Sequence, residues 1–327
     1  MLIVRNTRPD FRVSFRASAF GNGVVPNQDR LQFSENDLAH ALFVTGRAPG
    51  DELVYGKSSV YEWLHRASLI PAYVRRTDRA ELVRSDLSLT LDRSESAAVS
   101  YALGQAMTAI FCRTQLGVSH LLHIDRYSAQ HDVLFGVGRR RADLFGVSPR
   151  GWVVAEAKGR SGHVRPETRR ALEDQKRSIV AIEGKRPWVA LGCVAHFPQR
   201  VGPMHLEAFD PEDDADEAIA LDVTRDRFML AYYAPFLRAL EVGVSRQDDN
   251  FQSADFAGLG IRIGLSIPLV ARLRRAESGA LAGLSTDVEG LLAEVLSLQG
   301  GVLPDGSLVE TDWQESIDRW DSGRFEG

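Results

Sequence analysis

The apolar positions change period several times along the chain. Between Ser94 and Gln115 the small and apolar residues Ala97, Ala98, Tyr101, Ala102, Ala106, Ala109, Ile110 and Cys112 recur at helical spacing. Ser94 or Ser96 is placed to cap that helix, and Gly117 to stop it. Strand-like runs follow at 118–127, 133–137, 140–147 and 152–158, the last two joined by a turn at Ser148-Pro149-Arg150-Gly151. A second helix is expected from about Pro166 to Glu183, with proline in its first turn and Gly184 at its end. Residues 188–197 are almost continuously apolar, which predicts a buried strand. A third helix is expected over about 225–241.

Outside this stretch the pattern is less regular. Residues 1–90 mix short strand-like pieces with one helix from Ser58 to Ala67 or a little beyond. Residues 18–27 read as loop, and the charged segment 78–93 as a link. After Val244, residues 258–269 are apolar and interrupted by glycine, 286–298 read as helix, and Asp305-Gly306 marks a turn.

Helix, several strands, helix, strand, helix is the order of an α/β layer architecture with a central mixed sheet flanked by helices. The expected organisation is an N-terminal region at 1–93 for recognition or assembly, a core at 94–245, and a C-terminal extension at 246–327. At 327 residues, with 44% hydrophobic and 25% charged residues, the chain can bury a large core. No apolar run reaches membrane-spanning length and the first residues lack a secretory apolar region, so a cytoplasmic protein without a membrane partner is expected. Cys112 and Cys193 both stand in apolar surroundings, which predicts buried structural thiols and neither a disulfide framework nor a cysteine zinc site.

Charge is unevenly distributed. The net charge is -5, but residues 139–177 hold eleven Lys or Arg against five Asp or Glu. Residues 201–222 hold eight acids and no Lys or Arg. A basic segment in an acidic protein can steer a phosphate backbone toward one face.

The chemistry concentrates in Arg141-Ala142-Asp143-Leu144-Phe145-Gly146 and Trp152-Val153-Val154-Ala155-Glu156-Ala157-Lys158-Gly159. Strand alternation puts Val154, Glu156 and Lys158 on one face. Burying such unlike charges at the end of an apolar strand is costly unless they are paired or hold metal. A hairpin would bring Asp143 alongside. Asp143, Glu156 and the carbonyl of Ala157 would then offer hard oxygen ligands of the kind Mg²⁺ or Mn²⁺ prefers. Such an ion suits phosphodiester hydrolysis, with Lys158 orienting water or stabilising charge on phosphorus.

Asp143 followed after twelve residues by Glu156-Ala157-Lys158, on paired strands with a helix before and a helix and buried strand after, resembles the PD-(D/E)XK nuclease superfamily over roughly residues 94–200. The proline of that motif is absent, since Ala142 precedes Asp143. The resemblance implies a restriction-endonuclease-like core and a Mg²⁺-dependent endonuclease, a hydrolase acting on DNA in restriction, repair or defence. It also implies a supporting role for Gln175, which the helical reading places on an apolar face with Leu172, Ile179 and Ile182. Glu95 becomes a candidate extra metal ligand, alongside its reading as a first-turn acid favouring the helix dipole. Gln105, polar among alanines, is a weaker candidate. The basic loop after Lys158 makes Arg160, His163, Arg165 and Arg169 candidate phosphate contacts. A homodimer and a protein activator fit such an enzyme. The competing reading is a catalytically inert nuclease-fold protein that binds nucleic acid or another partner. The near-P-loop at residues 50–58 and the glycines at 258–264 miss their motifs by one residue. His120, His123 and Asp125 read as core or surface groups in preference to a zinc site.

Overall fold

In β1 (Phe11–Ser18), Phe11, Val13, Phe15 and Ala17 are buried while Arg12, Arg16 and Ser18 are exposed. This is the period-two pattern of a sheet with one face on the core. The computed structural model describes residues 11–46, 58–125, 142–164, 167, 168, 170, 172, 179–210, 219–298 and 301–318. After β1 come β2 (Gln28–Phe33), α1 (Glu35–Val44), α2 (Ser58–Tyr73), the hairpin strands β3 (Val74–Arg76) and β4 (Leu82–Arg84), α3 (Asp86–Thr90) and α4 (Arg93–Leu116). The strands β5 (His120–His123), β6 (Leu144–Ser148), β7 (Gly151–Arg160), β8 (Ile179–Ile182), β9 (Val189–His196), β10 (His205–Phe209) and β11 (Ile219–Leu221) follow. The chain continues through α5 (Arg225–Val242), β12 (Val244–Gln247), β13 (Phe251–Phe256), β14 (Ile261–Ser266), α6 (Ile267–Glu277), α7 (Leu284–Leu298), β15 (Ser307–Thr311) and α8 (Gln314–Asp318).

The central sheet has seven strands in the order β2-β1-β10-β9-β7-β6-β5. The pairs β1/β10 and β7/β9 are parallel and the others antiparallel. The protein is therefore α/β, with a large mixed sheet flanked by helices. The boundary expected near residue 93 does not separate two sheets, because β1 and β2 extend the one that holds β6, β7 and β9. The boundary expected at 245/246 falls inside β12, the edge of a second sheet ordered β12-β13-β14-β15. Among the described residues, no helix is long and apolar enough to cross a membrane.

Helix α4 lies against β7 at backbone-to-backbone distance. A Cβ added at Gly159 would sit 1.5 Å from the Ser100 carbonyl oxygen, and one at Gly104 would sit 2.5 Å from the Gly159 nitrogen. The two glycines let helix and strand touch, and so fix the strand end that carries Lys158. The cap of α4 is Asp92, not Ser94 or Ser96. Its side chain accepts from Ser94 and Glu95 N–H, and Glu95 returns a bond to the Asp92 N–H. Asp supplies the acceptor two residues before Ser94 and four before Ser96. Gly117 ends the helix in the left-handed region, φ 68°, as its position predicts.

The helix expected over Pro166–Glu183 is too long. Residues 167, 168, 170 and 172 are helical, but Ile179–Ile182 is strand β8, paired in parallel with β11. Three of the four residues of β8 are β-branched or apolar isoleucine and valine, so strand propensity and tertiary pairing override the helical spacing. The expected strand at 118–127 stops at His123, with residues 124 and 125 helical, and 133–137 lies outside the described residues. The glycine-interrupted segment 258–269 is a hairpin turn, β14 and the start of α6. Cys112 and Cys193 are free, buried thiols, as their surroundings predict.

A fully buried polar knot ties the two sheets together. Asp305, in the turn before β15, accepts from His40 Nε2 of α1 at 2.8 Å and from the Tyr232 hydroxyl of α5 at 2.6 Å. Ser307 donates its N–H and hydroxyl to the other carboxylate oxygen, and the Tyr233 hydroxyl donates to the Asp305 carbonyl at 2.6 Å. Because the Tyr233 proton is committed there, His120 Nε2 donates to Tyr233 at 2.8 Å, and its Nδ1 accepts from Ser119. His120 is thus the neutral Nε2–H tautomer.

Candidate active site

Asp143 directly precedes β6, whose first pair with β7 is Leu144 opposite Ala155. Its Oδ2 accepts from the Ala157 N–H at 3.1 Å, and its carbonyl accepts from the Ile124 N–H at 2.8 Å. The hairpin therefore brings Asp143 beside Glu156 and Lys158, as expected from the sequence. Glu156 is fully buried. Its register partner on β9 is Gly192, where an added Cβ would meet the Phe209 ring at 2.6 Å and Leu172 at 3.2 Å. Phe209 and Leu172 close over the sheet next to Glu156, which explains its dry surroundings. Lys158, half-buried, donates from Nζ to Glu156 Oε1. The other carboxylate oxygen, Oε2, is buried and has no hydrogen-bond partner among the described residues.

The electrostatics follow from that crowding. Burial raises the Asp143 pKa above the ordinary aspartate value, against the opposing pull of Lys158 and the Ala157 N–H. Burial first, and the Asp143 charge second, push Glu156 up to about 8, although Lys158 is in direct contact. Two desolvated carboxylates thus share the Lys158 ammonium. Desolvation outweighs the ion pair, which is the usual balance for a buried charge short of partners.

A second layer comes from α4 and α2. Gln105, 1% exposed, donates from Nε2 to the Tyr101 hydroxyl at 2.8 Å and accepts from Arg66 at 3.0 Å. Arg66 also donates to the Leu42 carbonyl at 3.0 Å. The Tyr101 phenol is raised by burial and then by the Asp143 charge, and Glu156 and Asp125 add to the effect. Asp125 also raises Asp143. Tyr101 and Asp125 belong to the site's electrostatics, yet the sequence places neither at this site, and Asp125 enters there only as a candidate zinc ligand with His120 and His123. Tyr101 merges with a helical apolar stripe, and Asp125 follows a histidine strand. Gln105 could be singled out, because a lone amide among alanines on a buried face needs a partner. Nothing in the sequence marks Arg66.

The remaining candidates are distributed more widely. Glu95 is exposed, and its carboxylate closes the α4 capping box. Arg160 is exposed at the end of β7, and His163 is exposed in the following loop. Gln175, Arg165 and Arg169 lie outside the described residues, and the face shared with Ile179 and Ile182 disappears because those two are in β8. His120 belongs to the buried knot and not to a zinc site.

Among the described residues, no group of three or more His, Cys, Asp and Glu side chains converges on a point. The donor set for an ion is therefore two carboxylates and the Ala157 carbonyl. Those hard oxygens, with one carboxylate oxygen buried and unpartnered, fit a small divalent cation that keeps several waters. No protein-family model, curated protein or solved structure matches this chain.

Proposed function

We propose that the protein is a metal-dependent nuclease of restriction-endonuclease-like architecture, hydrolysing phosphodiester bonds of DNA. The observation that carries the reading is the pair of desolvated carboxylates, Asp143 and Glu156, with Lys158 against Glu156 and Glu156 Oε2 without a hydrogen-bond partner among the described residues. An arrangement that costs stability on its own gains most from a divalent cation. Asp143, Glu156 and the Ala157 carbonyl would hold Mg²⁺ or Mn²⁺. The ion would supply Lewis acidity to a phosphate oxygen and lower the pKa of a bound water.

The chain's own residues do the rest. With an ion held by the carboxylates, Lys158 at the mouth of the site would orient the attacking water or neutralise charge building on the phosphate. The Tyr101 hydroxyl accepts from Gln105, which leaves its own proton available to a substrate oxygen. Phe209 and Leu172 exclude water from beside Glu156.

The sheet itself supports a nucleic-acid substrate. Lys158 pairs across β9, β10 and β1 with Val194, Glu207 and Arg16. The next row runs Arg160, His196, His205, Ser14 and Arg30. Arg16, Arg30 and Arg160 are exposed on this face, and they form a basic track leading from the site to the sheet edge.

The test is incubation with supercoiled plasmid and with single-stranded DNA in Mg²⁺, Mn²⁺ or EDTA, with Lys158→Ala as control. Cleavage that needs metal and disappears in the variant is the expected result. Absence of cleavage together with absence of Mn²⁺ binding by calorimetry would overturn the reading.

A further inference from the structure

Behind the candidate active site, α1, α2 and α4 meet at one buried cation. Arg66 reaches from α2 to the C-terminal end of α1 and to the middle of α4. Its Nε donates to the Leu42 carbonyl at 3.0 Å. One terminal nitrogen donates to Thr45 Oγ1 at 3.3 Å and to Gln105 Oε1 at 3.0 Å. Thr45 gives its own proton to the Ala41 carbonyl at 2.7 Å, so its oxygen serves Arg66 as an acceptor. The carbonyls at the end of α1 favour positive charge there. Burial still lowers the Arg66 pKa, against the opposing charge of Glu62 one turn earlier on α2. Holding a buried cation with neutral acceptors is an expensive way to fill space, so the charge calls for a role beyond packing.

A guanidinium has only donors, so Gln105 must turn its carbonyl toward Arg66. The amide nitrogen then points the other way and donates at 2.8 Å to the hydroxyl of Tyr101, one turn earlier on the same face of α4. Tyr101 accepts that bond, and its own proton has no acceptor among the described residues. The phenol is exposed, and it feels the charges of Asp143 and Glu156 on one side and of Arg66 on the other. Gly104, next to Gln105, is where α4 touches the backbone of Lys158 and Gly159, which fixes the chain relative to the strand end. Turned over, the amide would set its donors against the guanidinium and offer its carbonyl to Tyr101. The phenol would then give its proton to Gln105 and have none for the site. One remote cation thus sets the direction of a chain of three side chains.

We propose that Arg66 is a positioning residue of the candidate active site: by fixing the Gln105 amide it makes Tyr101 present its proton to a phosphoryl oxygen of the substrate. The identity of that oxygen rests on the nuclease reading, whereas the direction of the chain does not. Arg66 touches neither substrate nor metal and acts only through Gln105.

The experiment first reads direction, in EDTA and without substrate, from the tyrosine doublet of the Raman spectrum. Its intensity ratio falls when a phenol gives its proton to a strong acceptor. Subtracting the spectrum of the matching Tyr101→Phe protein isolates one of the seven tyrosines. The ratio should fall from the parent value in Arg66→Met, where the amide can turn, and stay at the parent value in Arg66→Lys. Gln105→Glu keeps the side-chain volume and strengthens the contact with Arg66, yet it offers Tyr101 only an acceptor, so the ratio should fall there too. This variant decides the matter even if Arg66→Met does not fold, because a purely structural role would leave its ratio unchanged. Single-turnover DNA cleavage at saturating Mn²⁺ follows. Gln105→Glu should cleave as slowly as Tyr101→Phe, roughly 2- to 10-fold below the parent. The two changes together should slow cleavage no further than either alone. An unchanged ratio in folded Gln105→Glu, or a parental cleavage rate in that variant, would overturn the proposal. A parent that cleaves nothing while the ratio still falls in Gln105→Glu would overturn the nuclease reading and leave the directed chain standing, with another acceptor for its proton.

Discussion

The knot around Asp305 and the cluster around Glu156 are both buried, both polar and both assembled from distant parts of the chain, but they are satisfied to different degrees. Asp305 has a partner for each carboxylate oxygen, and its pKa is held well below the ordinary aspartate range by His40 and Tyr232 despite full burial. Glu156 has Lys158 on one carboxylate oxygen, no side-chain hydrogen-bond partner among the described residues for the other, and a second carboxylate beside it, and its pKa rises to about 8. A closed network rigidifies the places where α1, β5, α5 and the second sheet meet. An open one stores unfavourable charge at the end of β7, which a ligand can relieve. The contrast separates a satisfied buried cluster from one left short of partners, and the proposed function places chemistry at the second.

The largest expected effect tests the closed side. Asp305→Ala leaves His40, Tyr232 and Ser307 without their acceptor, and should cost about 3–5 kcal/mol, the scale for breaking a buried charged network. Urea unfolding of both proteins gives the difference, and a loss below about 1 kcal/mol would erase the distinction between the clusters. Glu156→Gln should act with the opposite sign. It removes a carboxyl that must be desolvated or protonated on folding while keeping its shape, and should stabilise the metal-free protein at neutral pH by about 1–2 kcal/mol. The same variant should lose Mn²⁺ binding in calorimetry. A destabilised variant with intact Mn²⁺ affinity would count against the proposed centre.

The pH dependence sharpens the comparison further. Glu156 is raised from 4.5 to about 8 in the folded protein, so the folded state holds the extra proton between those values. Its stabilising contribution is complete below pH 4.5 and is lost as pH climbs toward 8. His120 is lowered from 6.5 to about 4, chiefly by burial. Its contribution is complete above pH 6.5 and is lost as pH falls toward 4, on the order of 3 kcal/mol for the whole shift. Melting temperature in EDTA should therefore decline on both sides. Glu156→Gln should flatten the alkaline limb alone, and a variant that flattens both or neither would refute the assignment. Mn²⁺ affinity should rise with pH through the same alkaline window, because the ion competes with the proton on Glu156.

The open cluster was more legible in the sequence than the closed one. Asp143, Glu156 and Lys158 betray themselves because charge is anomalous on apolar strands, and strand alternation plus a short hairpin suffices to bring them together. The α4 helix and the buried β9 strand were legible for the same reason: long, regular periodicity with a glycine stop or an unbroken apolar run. The knot was not legible, since it joins His40, His120, Tyr232 and Asp305 across 265 residues, and each looks ordinary in its own segment. Asp305 reads only as a turn residue before glycine. β8 failed for a local reason, because Leu172, Ile179 and Ile182 fit helical spacing while pairing with β11 decides the backbone. The joining of β1 and β2 to the central sheet, and the division of 246–327 into a sheet and helices, depend on pairings that leave no local mark.

The smallest effect concerns Tyr101, the group between the two kinds of environment. It is 43% exposed, yet its hydroxyl receives the Gln105 amide and feels the charges of Asp143 and Glu156. Tyr101→Phe removes that acceptor at a position water can reach, so stability should change by less than about 1 kcal/mol. The Mn²⁺ affinity should not change, because Tyr101 supplies no oxygen to the proposed centre. If its free proton contacts a substrate oxygen, the cleavage rate under saturating metal should fall roughly 2- to 10-fold, the effect of losing one neutral hydrogen bond. Single-turnover cleavage by the two proteins at equal metal occupancy measures this directly. An unchanged rate would confine Tyr101 to holding Gln105 and Arg66 in place, and would move the boundary between scaffold and site from α4 to the strand end itself.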